Sequence, residues 1–143
     1  MVPNMQRVEI TQDFTLPVER VYAYLSEHEN LGPLFGATVT RVRDGASTRN
    51  GVGSVRKLRV AVLPAFEETV TAAVDNEMVS YRITKGSPLK DHSGVMTFTS
   101  TPTGSRLHYV IQFVSVVPGL DRIVKLGLDR NVRKGLAAVN AKA

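Results

Sequence analysis

Between Ala37 and Val116 the sequence repeats one pattern six times: a segment of alternating apolar and polar residues, then a short break rich in Gly, Pro, Asn or Asp. The segments are Ala37 to Arg43, Gly53 to Val62, Phe66 to Val74, Met78 to Thr84, Ser93 to Ser100 and Ser105 to Val116, divided by "DGASTRNG", "LPA", "DNE", "KGSPLKDH" and "TPTG". Period two is the mark of a half-buried strand. Parallel neighbours need a crossover of a dozen or more residues, and no break here is that long, so six such strands in a row form an antiparallel meander. One face of that sheet is apolar and has to be covered by something.

The flanking segments supply the cover. "VEITQDFTL", Val8 to Leu16, reads as a further strand with Val8, Ile10, Phe14 and Leu16 in one phase and polar Gln12 interrupting it. Pro17 suits the first turn of a helix, and Glu19 sits near its positive end. Val18, Val21, Tyr22 and Leu25 then recur at helical spacing, and after the charged break Glu27 to Asn30 a second short helical turn holds Leu31, Leu34 and Phe35 and ends at Gly36. After Pro118 and Gly119, Leu120, Ile123, Val124, Leu128, Val132, Leu136 and Val139 fall on one arc of a long helix, with Arg122, Asp129, Arg133 and Asn140 opposite. At about 20 residues that helix is roughly 30 Å long. The expected fold is therefore α+β: a curved seven-strand antiparallel sheet wrapped around a long C-terminal helix, with two short helices after strand 1.

A chain of 143 residues, 43% of them hydrophobic, buries about 70% of its unfolded surface around one core, so residues 1–143 are expected to form a single domain. The chain has no cysteine, which excludes disulfides, thiolate nucleophiles and Cys-ligated metal, and suits a reducing cytoplasm. Its longest apolar run, "VAVLPAF", is far short of the roughly 20 residues that span a bilayer. Eighteen basic against thirteen acidic residues leave a charge of +5. The surplus lies in Arg41 to Arg59, where only Asp44 opposes six cations, and in the last 25 residues. The first stretch contains no aromatic residue, so it lacks the interleaved stacking groups of single-strand nucleic-acid binders. A solvated basic surface is expected there rather than a nucleic-acid site.

The order of elements, together with "LPVERVYAYLSEHENLGPLFGA", "GSPLKDHSGVMTF" and the final helix after "VPGLDRIV", resembles the START-like superfamily, also called SRPBCC or Bet v 1-like. Within it the sequence most resembles the small bacterial polyketide cyclase/dehydrase proteins, over about Val8 to Val139. The resemblance implies a helix-grip fold enclosing a cavity for apolar small molecules such as lipids, sterols, hormones and polyketides. It implies no single chemistry, because members range from carriers to cyclases and some bind proteins instead.

Several residues are candidates for the wall of such a cavity. Gly127 and Gly135, eight apart on the inward arc of the final helix, either leave volume beneath it or let a bulky neighbour approach closely. Leu34 and Phe35 in the Gly/Pro-broken segment are expected as wall and rim, and Met96, like Met78, as a flexible thioether fitting an irregular apolar space. Glu68 shares phase with Phe66 and Val70, and Arg56 with Leu58 and Val60, so across the intervening hairpin the two charges face the interior together or, one register away, both face solvent. Tyr81 and Tyr109 alternate with apolar neighbours and offer one hydroxyl each on an apolar ring. Of the three histidines, His28 is expected in a solvated loop and His108 on the outer face; His92 lies in a loop at the cavity rim, with Asp91 poorly placed to orient it.

No catalytic residue is assigned, and no metal or cofactor is expected. The "NGVGS" glycines precede a strand rather than a helix, no His-x-x-x-His spacing occurs, Glu67 and Glu68 face opposite sides of one strand, and Gly-x-Ser-x-Gly is missing. Three functions remain open: binding of a hydrophobic or aromatic small molecule, a cyclase or aromatase-like enzyme acting by confinement, and an interaction module using the basic face.

Overall fold

The computed structural model describes residues 5–60, 64–87, 89–115 and 117–143. Strand β1 (Gln6–Phe14) leads into α1 (Val18–Ser26), a 3-10 turn (His28–Asn30) and the one-turn α2 (Gly32–Phe35). Then follow β2 (Thr38–Arg43), β3 (Val55–Arg59), β4 (Phe66–Val74), β5 (Met78–Lys85), β6 (Leu89–Thr101) and β7 (Gly104–Ser115), and finally α3 (Leu120–Ala137) and the short α4 (Val139–Lys142). The seven strands form one antiparallel sheet in the order β1-β7-β6-β5-β4-β3-β2. The chain thus lays down the meander in sequence, and β1 closes its far side against β7.

Pro17 caps α1 rather than opening it, with φ −59° and ψ 151°, so the helix starts one residue later than the expected first turn. Gly36 ends α2 in the left-handed conformation, φ 59°, where a side chain is strained. Register shifts at Arg41/Arg43, Glu67/Glu68, Val70/Ala72 and Lys90/Ser93 bend the strands and give the sheet its curvature. The last of these explains why β6 begins at Leu89 and not at the expected Ser93. Asp91 takes a positive φ of 50° at the bulge, which carries the strand through a segment that reads as loop. The expected strand ends at Val62 and Val116, and Leu63 in the hairpin, lie outside the described residues.

The concave face buries Val8 and Ile10 of β1, Leu107, Ile111 and Phe113 of β7, and Met96 and Phe98 of β6. Val21 and Leu25 of α1 pack onto this layer, and Tyr22 meets the Phe98 ring edge-on at 5.2 Å. Helix α3 closes the other side, but unevenly. Val132, Gly135 and Leu136 in its second half are buried, whereas Ile123 is 70% and Leu126 73% exposed. The apolar arc read from the sequence is therefore packed along half its length. The second half has α2 and β1 beneath it, and the first half stands over a space.

Candidate functional site

The space is a cavity of about 350 Å³ between α3 and the sheet. Leu58, Phe66, Ile83 and Ile111 line its sheet side, Val124, Gly127 and Leu128 its helix side, and Phe35 its end. Ile123, also in the lining and largely exposed, stands at the rim. The polar side chains in the lining are Glu68, Tyr81, Ser87, His92 and Asn131, with no Lys or Arg among the described residues of the wall.

The polar groups cluster because the sheet register puts them together. Arg56 and Glu68 are direct partners across β3 and β4, the inward of the two registers open from sequence. Arg56 Nε donates to Glu68 Oε1 at 2.8 Å, with both side chains almost wholly buried. The guanidinium carbon lies 4.5 Å from the centre of the Tyr81 ring, a cation–π arrangement. Burial opposes the charge of Arg56, but the Glu68 carboxylate holds its pKa above the ordinary value. The Tyr81 and Tyr109 hydroxyls hydrogen-bond each other, and burial pushes both phenols upward, so both stay protonated.

His92 enters from β6. The Ile83 amide donates to its Nδ1 at 3.1 Å, which fixes the one proton of the neutral ring on Nε2. Nε2 in turn faces Glu68 Oε2 at 3.8 Å, too far for a hydrogen bond. Burial lowers the His92 pKa and outweighs the opposite pull of Glu68, so the ring is neutral. Asp91 is exposed, like Lys90 before it, because the bulge between Lys90 and Ser93 breaks the alternation there.

Of the residues read from sequence as candidates, Phe35, Glu68, Tyr81, His92 and Gly127 line the cavity. Four stand elsewhere. Leu34 is buried against Gly135, whose absent side chain would come within 3.0 Å of the Leu34 Cα, and Met96 packs in the core on β6. Arg56 and Tyr109 are buried outside the lining, in contact with Glu68 and Tyr81. The two α3 glycines divide the two readings between them: Gly127 faces open space with nothing within 4 Å of an added Cβ, and Gly135 is a close approach, to α2 rather than to a strand.

Asn131 and Ser87 were not singled out by sequence reasoning. Asn131 was detectable, since it lies on the line of Gly127 and Gly135 at four-residue spacing. His28 needs correction. It is fully buried rather than solvated, with Nε2 2.9 Å from Ser54 Oγ. Because the Ser54 hydroxyl donates to Gly51 O at 2.7 Å, His28 Nε2 must carry the proton. His108 does lie on the outer face, beside Glu9.

The basic stretch is also less free than its composition suggests. Arg41 bonds Glu27, Glu29 and Asn50, and Arg49 bonds Glu27 and Glu29, so acids outside the stretch neutralise part of it. No group of three or more metal-binding side chains exists among the described residues, and no described helix is long and apolar enough to cross a membrane.

The profile of a family described as polyketide cyclase / dehydrase and lipid transport matches residues 5–143. Comparison with curated proteins gives no match. Among solved structures, the chain is similar to the ZhuI aromatase/cyclase from Streptomyces sp. R1128, with 19% identity, 97% of this chain and 93% of that chain covered, and a TM-score of 0.72. It is similar to Ara h 8.0201 at 14% identity, covering 96% of this chain and 97% of that one, with a TM-score of 0.71. It also overlays, at 13% identity and a TM-score of 0.74, on the di-domain ARO/CYC StfQ from the steffimycin biosynthetic pathway, covering 96% of this chain but half of that one. At these identities the likeness is one of fold.

Proposed function

The chain belongs to the polyketide cyclase / dehydrase and lipid transport family, and from that premise we propose that it binds one hydrophobic or aromatic small molecule between the sheet and α3. The observation that carries this reading is the composition of the wall: an apolar cavity of about 350 Å³ with Glu68, Tyr81 and His92 gathered on one side. Pockets for small organic molecules have this make-up, a hydrophobic body with a few placed polar groups that fix orientation. Phe35 closes one end and Ile123 stands at the rim. With no cysteine, the protein suits a reducing cytoplasm as its site of action.

The test is a thermal-shift screen of protein stripped of co-purified lipid against fatty alcohols, fatty acids, isoprenoid quinones, sterols and aromatic polyketides. A ligand at one hundred times its Kd adds about 2.7 kcal/mol, a shift of roughly 5–10 °C for a domain of this size. A shift confined to one chemical class supports the reading, and no shift from any class refutes it.

One observation favours a second reading, a cyclase-like enzyme. Glu68 and a neutral His92 stand side by side in an apolar cavity, where a carboxylate can take a proton and an imidazole N–H can steady developing negative charge on oxygen. Any ligand found in the screen then serves as the substrate for a turnover assay, which separates enzyme from carrier.

A further inference from the structure

We infer that the space between His92 Nε2 and Glu68 Oε2 is a subsite for one ligand hydroxyl, so that the bound molecule is a neutral phenol or alcohol on an apolar body and not a carboxylic acid. The inference rests on the binding reading above and specifies its chemistry. His92 Nδ1 is occupied by the Ile83 amide, which leaves Nε2–H as a donor facing the cavity. Glu68 Oε1 is occupied by Arg56 Nε, and no hydrogen bond among the described residues reaches Oε2, which leaves an acceptor facing the same cavity. The two atoms are 3.8 Å apart, too far to satisfy each other. A hydroxyl oxygen about 2.8 Å from each completes both, accepting from His92 and donating to Glu68.

Other groups satisfy one side only. A ketone or ether accepts from His92 but sets its lone pairs against the Glu68 carboxylate. An ammonium donates to Glu68 but meets the His92 N–H with no lone pair to offer. A carboxylate fares worst, since the described wall holds no Lys or Arg: Arg56 gives its Nε to Glu68 and its face to the Tyr81 ring, and its buried, unpartnered Nη2 belongs to a residue outside the lining. An unpaired buried charge is strongly unfavourable. Of these groups, only a hydroxyl offers both the donor and the acceptor that the pair lacks, and it does so from one atom.

Calorimetric titration with naphthol, its methyl ether and naphthoate tests this directly, because the three share one apolar body. Naphthol is expected to bind at least tenfold more tightly than the ether, the equivalent of about 1.4 kcal/mol, and naphthoate more weakly than either. In a His92→Phe variant that keeps its melting temperature, naphthol and ether both lose the bond they accept from Nε2–H and are expected to bind several-fold more weakly, naphthol remaining the tighter because it still donates to Glu68. Glu68→Gln leaves Arg56 buried without its partner charge and is used only if it folds; the comparison of ligands on the unaltered protein does not depend on it. Equal binding of naphthol and ether overturns the subsite while leaving the cavity reading intact. So does tightest binding by naphthoate, or naphthol binding undiminished in His92→Phe. Failure of all three to bind takes the cavity reading and the subsite down together.

Discussion

Tyr81 can lie where it does because its cross-strand partner on β6, Gly94, has no side chain: a Cβ there would overlap the ring and the hydroxyl of Tyr81. Gly94→Ala is therefore expected to displace Tyr81, break its hydroxyl pairing with Tyr109 and cost about 1–3 kcal/mol by overpacking; an unchanged urea midpoint and unchanged near-ultraviolet dichroism would contradict this. Arg56 and Glu68 behave as a unit for a different reason. Removing one charge strands the other in the interior, so Glu68→Leu alone is expected to cost about 3–5 kcal/mol, and adding Arg56→Met is expected to recover most of it. Additive losses in that double-mutant cycle would show the pair to be uncoupled. The phase of Glu68 and Arg56 was legible in the sequence, as was the alternation that turns Tyr81 and Tyr109 inward. The register that makes the two charges partners was not, because it depends on how a hairpin closes. The partner of His28 was less legible still, since Ser54 lies 26 residues away with β2 in between.

At the scale of elements, α3 is one helix with two jobs divided along its length. Its second half is core, where Gly135 lets α2 come close and Val132 and Leu136 are sealed from solvent. Its first half is a roof whose underside is the cavity and whose outer side shows Ile123 and Leu126 to solvent. The amphipathic period of α3 was visible in the sequence, but a helical wheel records direction and not depth. It could not show that the first half of α3 stands over a space with Ile123 left exposed at its rim, and for the same reason the two glycines looked equivalent. They are expected to respond with opposite signs. Gly127→Ala adds helix propensity worth about 1 kcal/mol and meets nothing within 4 Å, so it should raise the melting temperature. Gly135→Ala places a methyl group 3.0 Å from the Leu34 Cα and should lower it, by about 1–3 kcal/mol. Gly127→Leu should fold and fill the cavity, so that any ligand found for the unaltered protein no longer shifts its melting temperature.

For the molecule as a whole, the buried histidines tie folding to pH. His28 is sealed among α1, the turn that follows it and the start of β3, and burial, with help from the charges of Arg56 and Arg41, lowers its pKa to about 3. An unfolded chain binds a proton at this position below about pH 6.5, whereas the folded chain refuses it down to about pH 3. The stability this residue contributes is thus complete above pH 6.5 and drains as pH falls, at up to about 1.4 kcal/mol per unit. His92, also lowered by burial, acts in the same direction. Between about pH 6.5 and 5 the carboxylates, with ordinary values near 4, have barely begun to titrate, so that interval isolates the histidines. Over it the urea midpoint should fall, and His28→Asn, which keeps a donor for Ser54 but cannot titrate, should flatten the slope. Because His28 lies outside the cavity lining, that variant should leave ligand binding at pH 7 as it is. A midpoint that stays level from pH 7 to 5 in the unaltered protein would mean that His28 is protonated or exposed in the folded state.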